Sequence, residues 1–272
     1  MSASQTYQLG FIGAGKLSGS VIRGLMRAKL CPPNQIIASE PNEQTRTALQ
    51  KETSVAVTAE NAEVAEKAKV IFVGVKPGMV IPVLNELRDR LQNKSVISLA
   101  GGVRISSMEK IPNVRFMRAL TNTPSAICRA ATGIARGSRS RNADVDLAKK
   151  IFGAIGVVVE INEEQIDIVT ALSGSGPAFI YTVIEALAAG GTKLGLANDV
   201  ALDLAIQTAR GAAEIMLESK MSPEELRRMV VTPGGTTAAG LAVMEKLGTS
   251  QSLIAAVEAA TKRGQEMAKE NS

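Results

Sequence analysis

The chain has no histidine and no tryptophan among its 272 residues. Without imidazole there can be no Ser-His-Asp triad, no Cys-His pair, no histidine metal ligand and no histidine general acid. Aromatic residues amount to 3%, too few for the stacking platforms on which single-stranded nucleic acids lie. Cysteine occurs twice, at Cys31 and Cys128. With no paired spacing, these are expected to be inert thiols in a reducing compartment, with neither a disulfide framework nor a metal site. Lys, Glu and Asp are read as interrupting every apolar run, so no stretch of the ~20 apolar residues needed to cross a bilayer is expected. The opening MSASQTYQLGFIGAG lacks the charged region and cleavage site of a signal peptide. These absences together lead to the expectation of a soluble, cytoplasmic protein with no membrane or nucleic-acid partner.

What is present is a 45% hydrophobic chain whose core must be built from Ala, Val, Ile and Leu, as in parallel sheets covered by helices. The length exceeds a usual single core, which argues for two domains. The net charge is +5, and Arg129, Arg136, Arg139 and Arg141 cluster around Gly133, Gly137 and Ser138. Because no aromatics interleave them, these arginines are read as mostly solvated, with attraction of an anionic cofactor as the alternative use of the basic balance.

Up to about residue 160, short β-branched runs alternate with helical ones: YQLGFI then Lys16 to Leu30, QIIAS then Asn42 to Lys51, VIFVGV then Met79 to Leu91. This is βαβ punctuation, and VISLA, VRFMRAL, TGIAR and VVVEI extend the same sheet. From Glu163 onward only helical spacing is found, in five segments: Pro177 to Leu194, Asp199 to Leu217, Pro223 to Val230, Thr236 to Leu247 and Ser250 to Lys269. The reading is an α/β domain over 1–161, followed by an all-α domain over 162–272.

Gly10, Gly13 and Gly15 follow the first strand and Lys16 opens a helix, so backbone amides at a helix start can face a diphosphate. Ser18 stands where the usual pattern has a third glycine, and is small enough to keep helix and strand close. At the end of the second strand, Glu40 would accept hydrogen bonds from a ribose diol and favour NADH. Ser39, Arg46 or Asn61 would instead hold the 2′-phosphate of NADPH. Val75-Lys76-Pro77-Gly78, Leu99-Ala100-Gly101-Gly102 and Thr121-Asn122-Thr123-Pro124 follow later strands on the same sheet edge, where small residues leave room for a nicotinamide ring. Ser173-Gly174-Ser175-Gly176-Pro177 reads as a helix start. So does Thr232-Pro233-Gly234-Gly235-Thr236-Thr237, whose amides and hydroxyls make a site for a small carboxylate.

The motifs FIGAGKL, GVKPG, LTNTP, LSGSGPAF and above all VTPGGTTAAGL resemble the pyrroline-5-carboxylate reductase family, nearly end to end. The resemblance implies an N-terminal Rossmann-type domain that holds NADPH or NADH, with NADPH favoured by the family and Glu40 arguing for NADH. It also implies a C-terminal all-α dimerisation domain that makes a homodimer, with five dimers assembled into a decamer. The implied reaction is reduction of 1-pyrroline-5-carboxylate to L-proline. Carried across, Ile12, Gly13, Ala14, Gly15, Lys16, Leu17, Asn61, Val75, Lys76, Pro77, Ala100 and Gly101 contact the cofactor. Glu163, Thr232, Gly235, Thr236 and Thr237 border the substrate, with Ser175 close to the imine. Ser175 and Thr237 are the candidates for supplying a proton to the nitrogen. The chain departs from the family pattern at Glu40, where many relatives carry a small residue, and at Met229, where many carry Asn. The competing readings are a hydroxyacid-type dehydrogenase using Lys193, and a cofactor-sensing regulator that binds dinucleotide without turnover.

Overall fold

The computed structural model describes residues 6–271. The strands are β1 Tyr7–Ile12, β2 Ile36–Ser39, β3 Ala56–Thr58, β4 Ala68–Val73, β5 Ser95–Ser98, β6 Arg115–Leu120, β7 Ala130–Arg136 and β8 Gly156–Glu160. The helices of the first half are α1 Lys16–Arg27, α2 Glu43–Thr53, α3 Asn61–Lys67, α4 Pro77–Glu86, α5 Ile105–Met108 and α6 Asn142–Gly153. Those that follow are α7 Ile166–Val169, α8 Gly176–Lys193, α9 Asn198–Ser219, α10 Pro223–Val230, α11 Thr236–Lys246 and α12 Thr249–Glu270.

The strands form one sheet in the order β3-β2-β1-β4-β5-β6-β7-β8. All neighbours are parallel except β6 and β7. Valine, isoleucine and phenylalanine fill both faces, as parallel strands covered on both sides require. One face packs on α3, α4, α5 and α7 through Val64, Leu84, Ile105 and Ile166. The other packs on α1, α2 and α6 through Ile22, Leu25, Leu49 and Phe152. The register aligns Ser39, Ile12, Val73 and Ser98 in one row across β2, β1, β4 and β5, so these four strands end together. The order reverses about β1, which places a topological switch between β1 and β4, the point at which ligands of open α/β sheets bind.

The chain divides into two compact units, 1–175 with 258–272, and 176–257. The first therefore takes in 162–175 and most of α12, which the sequence reading grouped with the helices. In the second unit the apolar side chains of α8 and α9 are largely exposed, among them Leu187 (55%), Leu204 (56%) and Leu217 (73%). Of its described residues only Ala201 and Ala205 are buried apolar ones, so this unit has no core sufficient to fold on its own.

One expectation is corrected. Residues 163–193 form one helical run that is long and apolar enough, by length and composition, to cross a membrane. The reason is that no charge interrupts 168–184. The Ser173–Pro177 run does lead into α8, which begins at Gly176, but the chain enters it from a π-turn over Thr170–Gly174 rather than from a loop, with the Ser175 amide reaching back to Thr170 O at 2.9 Å. Of the four clustered arginines, Arg129, Arg136 and Arg141 are exposed, as read from the sequence, and Arg139 is half-buried. Arg139 Nη2 donates to the carbonyls of Glu109 (2.8 Å) and Ile111 (2.9 Å) past the end of α5, and Arg136 Nη2 to Asn142 Oδ1 (2.9 Å).

Candidate active site

The turn between β1 and α1 is held from below. Ser39 O accepts hydrogen bonds from the amides of Gly13 (3.0 Å) and Ala14 (2.9 Å). Those two donors are thereby used, and the ones left facing outward belong to Gly15, Lys16 and Leu17, at the helix start where no intrahelical acceptor exists. Gly15 is the N-cap of α1, no side chain caps it, and the first turn carries no acid. Lys16 is exposed beside these amides, so the helix start keeps its positive end free for an anion.

The glycines divide by cause. Gly13 sits at φ +83°, and a Cβ there would lie 2.8 Å from Val75 Cγ1 and 3.0 Å from Val75 N, so the protein itself demands glycine. Gly15 has φ −65°, and a Cβ added to it meets nothing within 4 Å. Nothing among the described residues needs a glycine at that position, whereas a diphosphate approaching the amides does. That contrast is the fit between this turn and a dinucleotide.

Ser18 explains the missing third glycine. A Cβ on Gly74, just past β4, would fall on Ser18 Oγ, so the small pair keeps α1 tight against the sheet. Ser18 Oγ is buried and finds no partner among the described residues. Gly74→Ala is therefore expected to destabilise the fold by about 2 kcal/mol through overpacking. Ser18→Ala alone costs ~0 to 1 kcal/mol, since it removes an unsatisfied hydroxyl, and in the double variant it recovers most of the Gly74→Ala loss. Urea unfolding of the three variants checks this, and an undiminished loss in the double variant would refute it.

At the end of β2, Ser39 is fully buried and its hydroxyl donates to Asn61 Oδ1 (2.7 Å), at the start of α3. The following residue, Glu40, is half-buried; its Oε1 accepts from the Asn42 amide (3.1 Å). Arg46 Nη1 donates to the carbonyls of Glu40 (2.8 Å) and Pro41 (3.2 Å). The carboxylate is thus fixed at the mouth of the turn with one oxygen still available.

Lys76 is the exposed N-cap of α4, with Pro77 at its first position. Ala100 is buried and Gly101 half-buried after β5, and a Cβ on Gly101 would touch Thr170 Cγ2 at 3.6 Å. This brings the Ala100–Gly101 loop onto the π-turn that ends at Ser175. Asn122 Nδ2, past β6, steadies that turn by donating to Ser173 O (3.0 Å). The sequence reading placed Asn122 on this edge without assigning it a part. Glu163, read as a substrate neighbour, uses Oε1 to accept from the Ile105 amide (2.6 Å) and Arg118 Nη1 (3.3 Å).

In the second unit, Gly234 turns the chain at φ +71° and the Gly235 amide closes a turn onto Thr232 O (3.0 Å). Gly235 caps α11 without a side-chain hydrogen bond, and no acid lies in the first turn. Thr236 is exposed and Thr237 half-buried, so amides and hydroxyls at this helix start are open to an anion. Met229 lies exposed on α10, and Lys193 lies exposed at the last residue of α8.

A doubly wound sheet whose first turn presents free amides at the switch point, joined to a helical unit, defines an NAD(P)-dependent oxidoreductase. Residues 163–267 match the family model described as pyrroline-5-carboxylate reductase dimerisation, and residues 8–102 the one described as NADP oxidoreductase, coenzyme F420-dependent. The chain is 40% identical over 263 residues to pyrroline-5-carboxylate reductase of Synechocystis sp., covering 96% of this chain and 98% of that one. It is 38% identical to the Pisum sativum enzyme over 97% of each. Among solved structures it is similar to a Plasmodium falciparum pyrroline carboxylate reductase with NADP bound (TM-score 0.89, 29% identity, 98% and 100% covered). It is also similar to the Coxiella burnetii pyrroline-5-carboxylate reductase (TM-score 0.87, 35% identity, 97% and 99% covered). The chain belongs to the pyrroline-5-carboxylate reductase family.

Proposed function

We propose that this NAD(P)H-dependent reductase, which converts 1-pyrroline-5-carboxylate to L-proline, divides the work between its two units. The first holds the dinucleotide, with its diphosphate on the Gly15, Lys16 and Leu17 amides and its nicotinamide end along Val75, Lys76, Pro77, Ala100 and Gly101. In the second, the Thr236–Thr237 start of α11 holds the substrate carboxylate, with Thr232 and Gly235 shaping the turn before it. The observation that carries this division is the pair of uncapped, acid-free helix starts, one in each unit.

When bound, the dinucleotide supplies the hydride for the imine carbon. The protein's part is to hold and orient. A protonated imine is already electrophilic, which is why a chain without histidine suffices. The hydroxyl of Ser175 or that of Thr237 is the group proposed to hold a proton at the imine nitrogen, and Glu163 acts on the site through Ile105 and Arg118 rather than by touching substrate.

Thr237→Val is expected to raise KM for pyrroline-5-carboxylate about 10- to 100-fold, the worth of one hydrogen bond to a charged group. The Kd for NADH, measured by fluorescence, should stay within about two-fold, because the diphosphate contacts belong to other residues. An unchanged KM would remove the carboxylate assignment.

Glu40 sits where a carboxylate accepts from a ribose diol and repels a 2′-phosphate, and on that ground NADH is proposed as the preferred donor. The exposed apolar side chains of 176–257 support a homodimer through these helices, and the resemblance to the family supports a decamer; light scattering reads both. Cys31 and Cys128 are unbonded thiols, the state that a cytoplasmic location preserves.

A further inference from the structure

Arg118 lies on β6 in register with Ser98, level with the ends of β1, β4 and β5, and its side chain is completely buried. Nη1 reaches Glu163 Oε1 at 3.3 Å, while Nε and Nη2 find no partner among the described residues. Beside it, Asp167 is 1% exposed; its Oδ2 accepts from Arg104 Nη2 at 2.6 Å and its Oδ1 is left unpartnered. Burial pulls the Arg118 pKa below its ordinary value, and the charges of Glu163 and Asp167 offset part of that pull.

The four side chains join two segments across β6, which carries Arg118. Glu163 and Asp167 sit on the helical run whose π-turn leads to Ser175. Arg104, together with the Ile105 amide that donates to Glu163, ends the loop that begins at Ala100 and Gly101. Gly264 of α12 closes the cluster from outside, its added Cβ lying 3.4 Å from Asp167 Cβ.

Such a cluster is a poor device for stability alone. Desolvating two ion pairs offsets what their attraction contributes, and apolar replacements of similar size are often neutral or stabilising. Buried donors left unpaired add to that cost. What the cluster does provide is a directional link between the two segments.

We propose that Arg104, Arg118, Glu163 and Asp167 are positioning residues, which hold the Ala100–Gly101 loop against the Thr170–Ser175 turn and so set the gap between the nicotinamide wall and the Ser175 hydroxyl. This rests on the reading of those two segments given under the proposed function.

The test uses the full-length enzyme with NADH and pyrroline-5-carboxylate, and two variants. Arg118→Met combined with Glu163→Gln removes the buried ions and keeps an acceptor for the Ile105 amide. Arg104→Met changes a side chain that is already 28% exposed, so it tests the link even if the double variant does not fold. The double variant is expected to keep thermal stability, Arg104→Met to lose some of it by leaving the Asp167 carboxylate buried without its cation, and both to bind NADH within about two-fold of the parent at a temperature where they are folded. Their kcat should fall about 10- to 100-fold, the scale of a misplacement near 1 Å, with a larger primary isotope effect from C4-deuterated NADH. Arg118→Lys should recover part of the loss. The proposal is overturned if Arg104→Met retains parental kcat and isotope effect. It is overturned equally if kcat falls only in step with NADH binding or with stability. If the parent itself does not oxidise NADH or NADPH with this substrate, it is the functional reading that has failed instead.

Discussion

Gly13→Ala is expected to weaken binding of NADH and NADPH by about 100-fold or more, through the cost of a left-handed non-glycine residue and the shift it forces on the turn. The residue stands at φ +83°. Its new methyl would press on Val75 Cγ1 at 2.8 Å and on the Val75 backbone nitrogen at 3.0 Å. Val75 cannot yield cheaply, because Gly74 beside it is bonded to Ile12 O at 2.8 Å and is packed on Ser18. The turn must therefore open, and the amides of Gly15 to Leu17 leave their common focus. Gly15→Ala supplies the control. With φ −65° and no neighbour within 4 Å, it should leave the melting temperature unchanged yet still weaken binding about 10-fold or more, because its methyl meets the ligand rather than the protein. Titration of both variants by fluorescence, alongside thermal unfolding, separates the two effects. Parental affinity in Gly15→Ala would remove the diphosphate from this helix start.

Glu40→Ser is expected to shift cofactor choice towards NADPH by about 100-fold in the ratio of kcat/KM values. One hydrogen bond from a ribose hydroxyl to a carboxylate is worth about 1.5–3 kcal/mol, and repulsion of a 2′-phosphate dianion adds to the discrimination. Glu40 is well placed for both, since Oε1 is tied to the Asn42 amide at 3.1 Å and the residue is only half-buried. Arg46, anchored on the carbonyls of Glu40 and Pro41, is the cation that would meet the phosphate once the carboxylate is gone. Adding Arg46→Ala should therefore cancel much of the gain in NADPH use. A ratio that moves less than two-fold in Glu40→Ser would show that cofactor choice is made elsewhere.

The features legible in the sequence were those with a local cause. The β1 turn could be read because strand, glycines and helix adjoin, and α10 and α11 could be placed because Pro223 and the Pro233–Thr237 run mark their starts. Other features depend on distance. Strand β3 is only three residues long, Ala56–Thr58, too short for alternation to show, and α3 follows it almost at once. Helix α6 was passed over between two apolar strands. The π-turn at Thr170–Gly174 carries Ser and Gly, whose usual meaning is a break, and only the packing of Thr170 near Gly101 and the hold of Asn122 on Ser173 show otherwise.

The charge cluster was hidden for the same reason. Arg104 and Asp167 are 63 residues apart in the chain, and an arginine in the apolar run VRFMRAL gives no sign that its side chain is wholly buried. Ser39 shows how contacts made across the fold escape a reading of spacing. It lies at the end of β2, where its hydroxyl is spent on Asn61 and its carbonyl on the Gly13 and Ala14 amides. Its part is to shape the turn, which leaves Glu40 and Arg46 as the residues proposed to meet the ribose.

The most direct measurement is a single assay of the purified chain with pyrroline-5-carboxylate and either C4-deuterated NADH or C4-deuterated NADPH, with the product examined by mass spectrometry. The expected result is L-proline carrying one deuterium, formed with both donors and faster with NADH. Binding of dinucleotide with no deuterated proline from either donor would contradict the reductase mechanism outright.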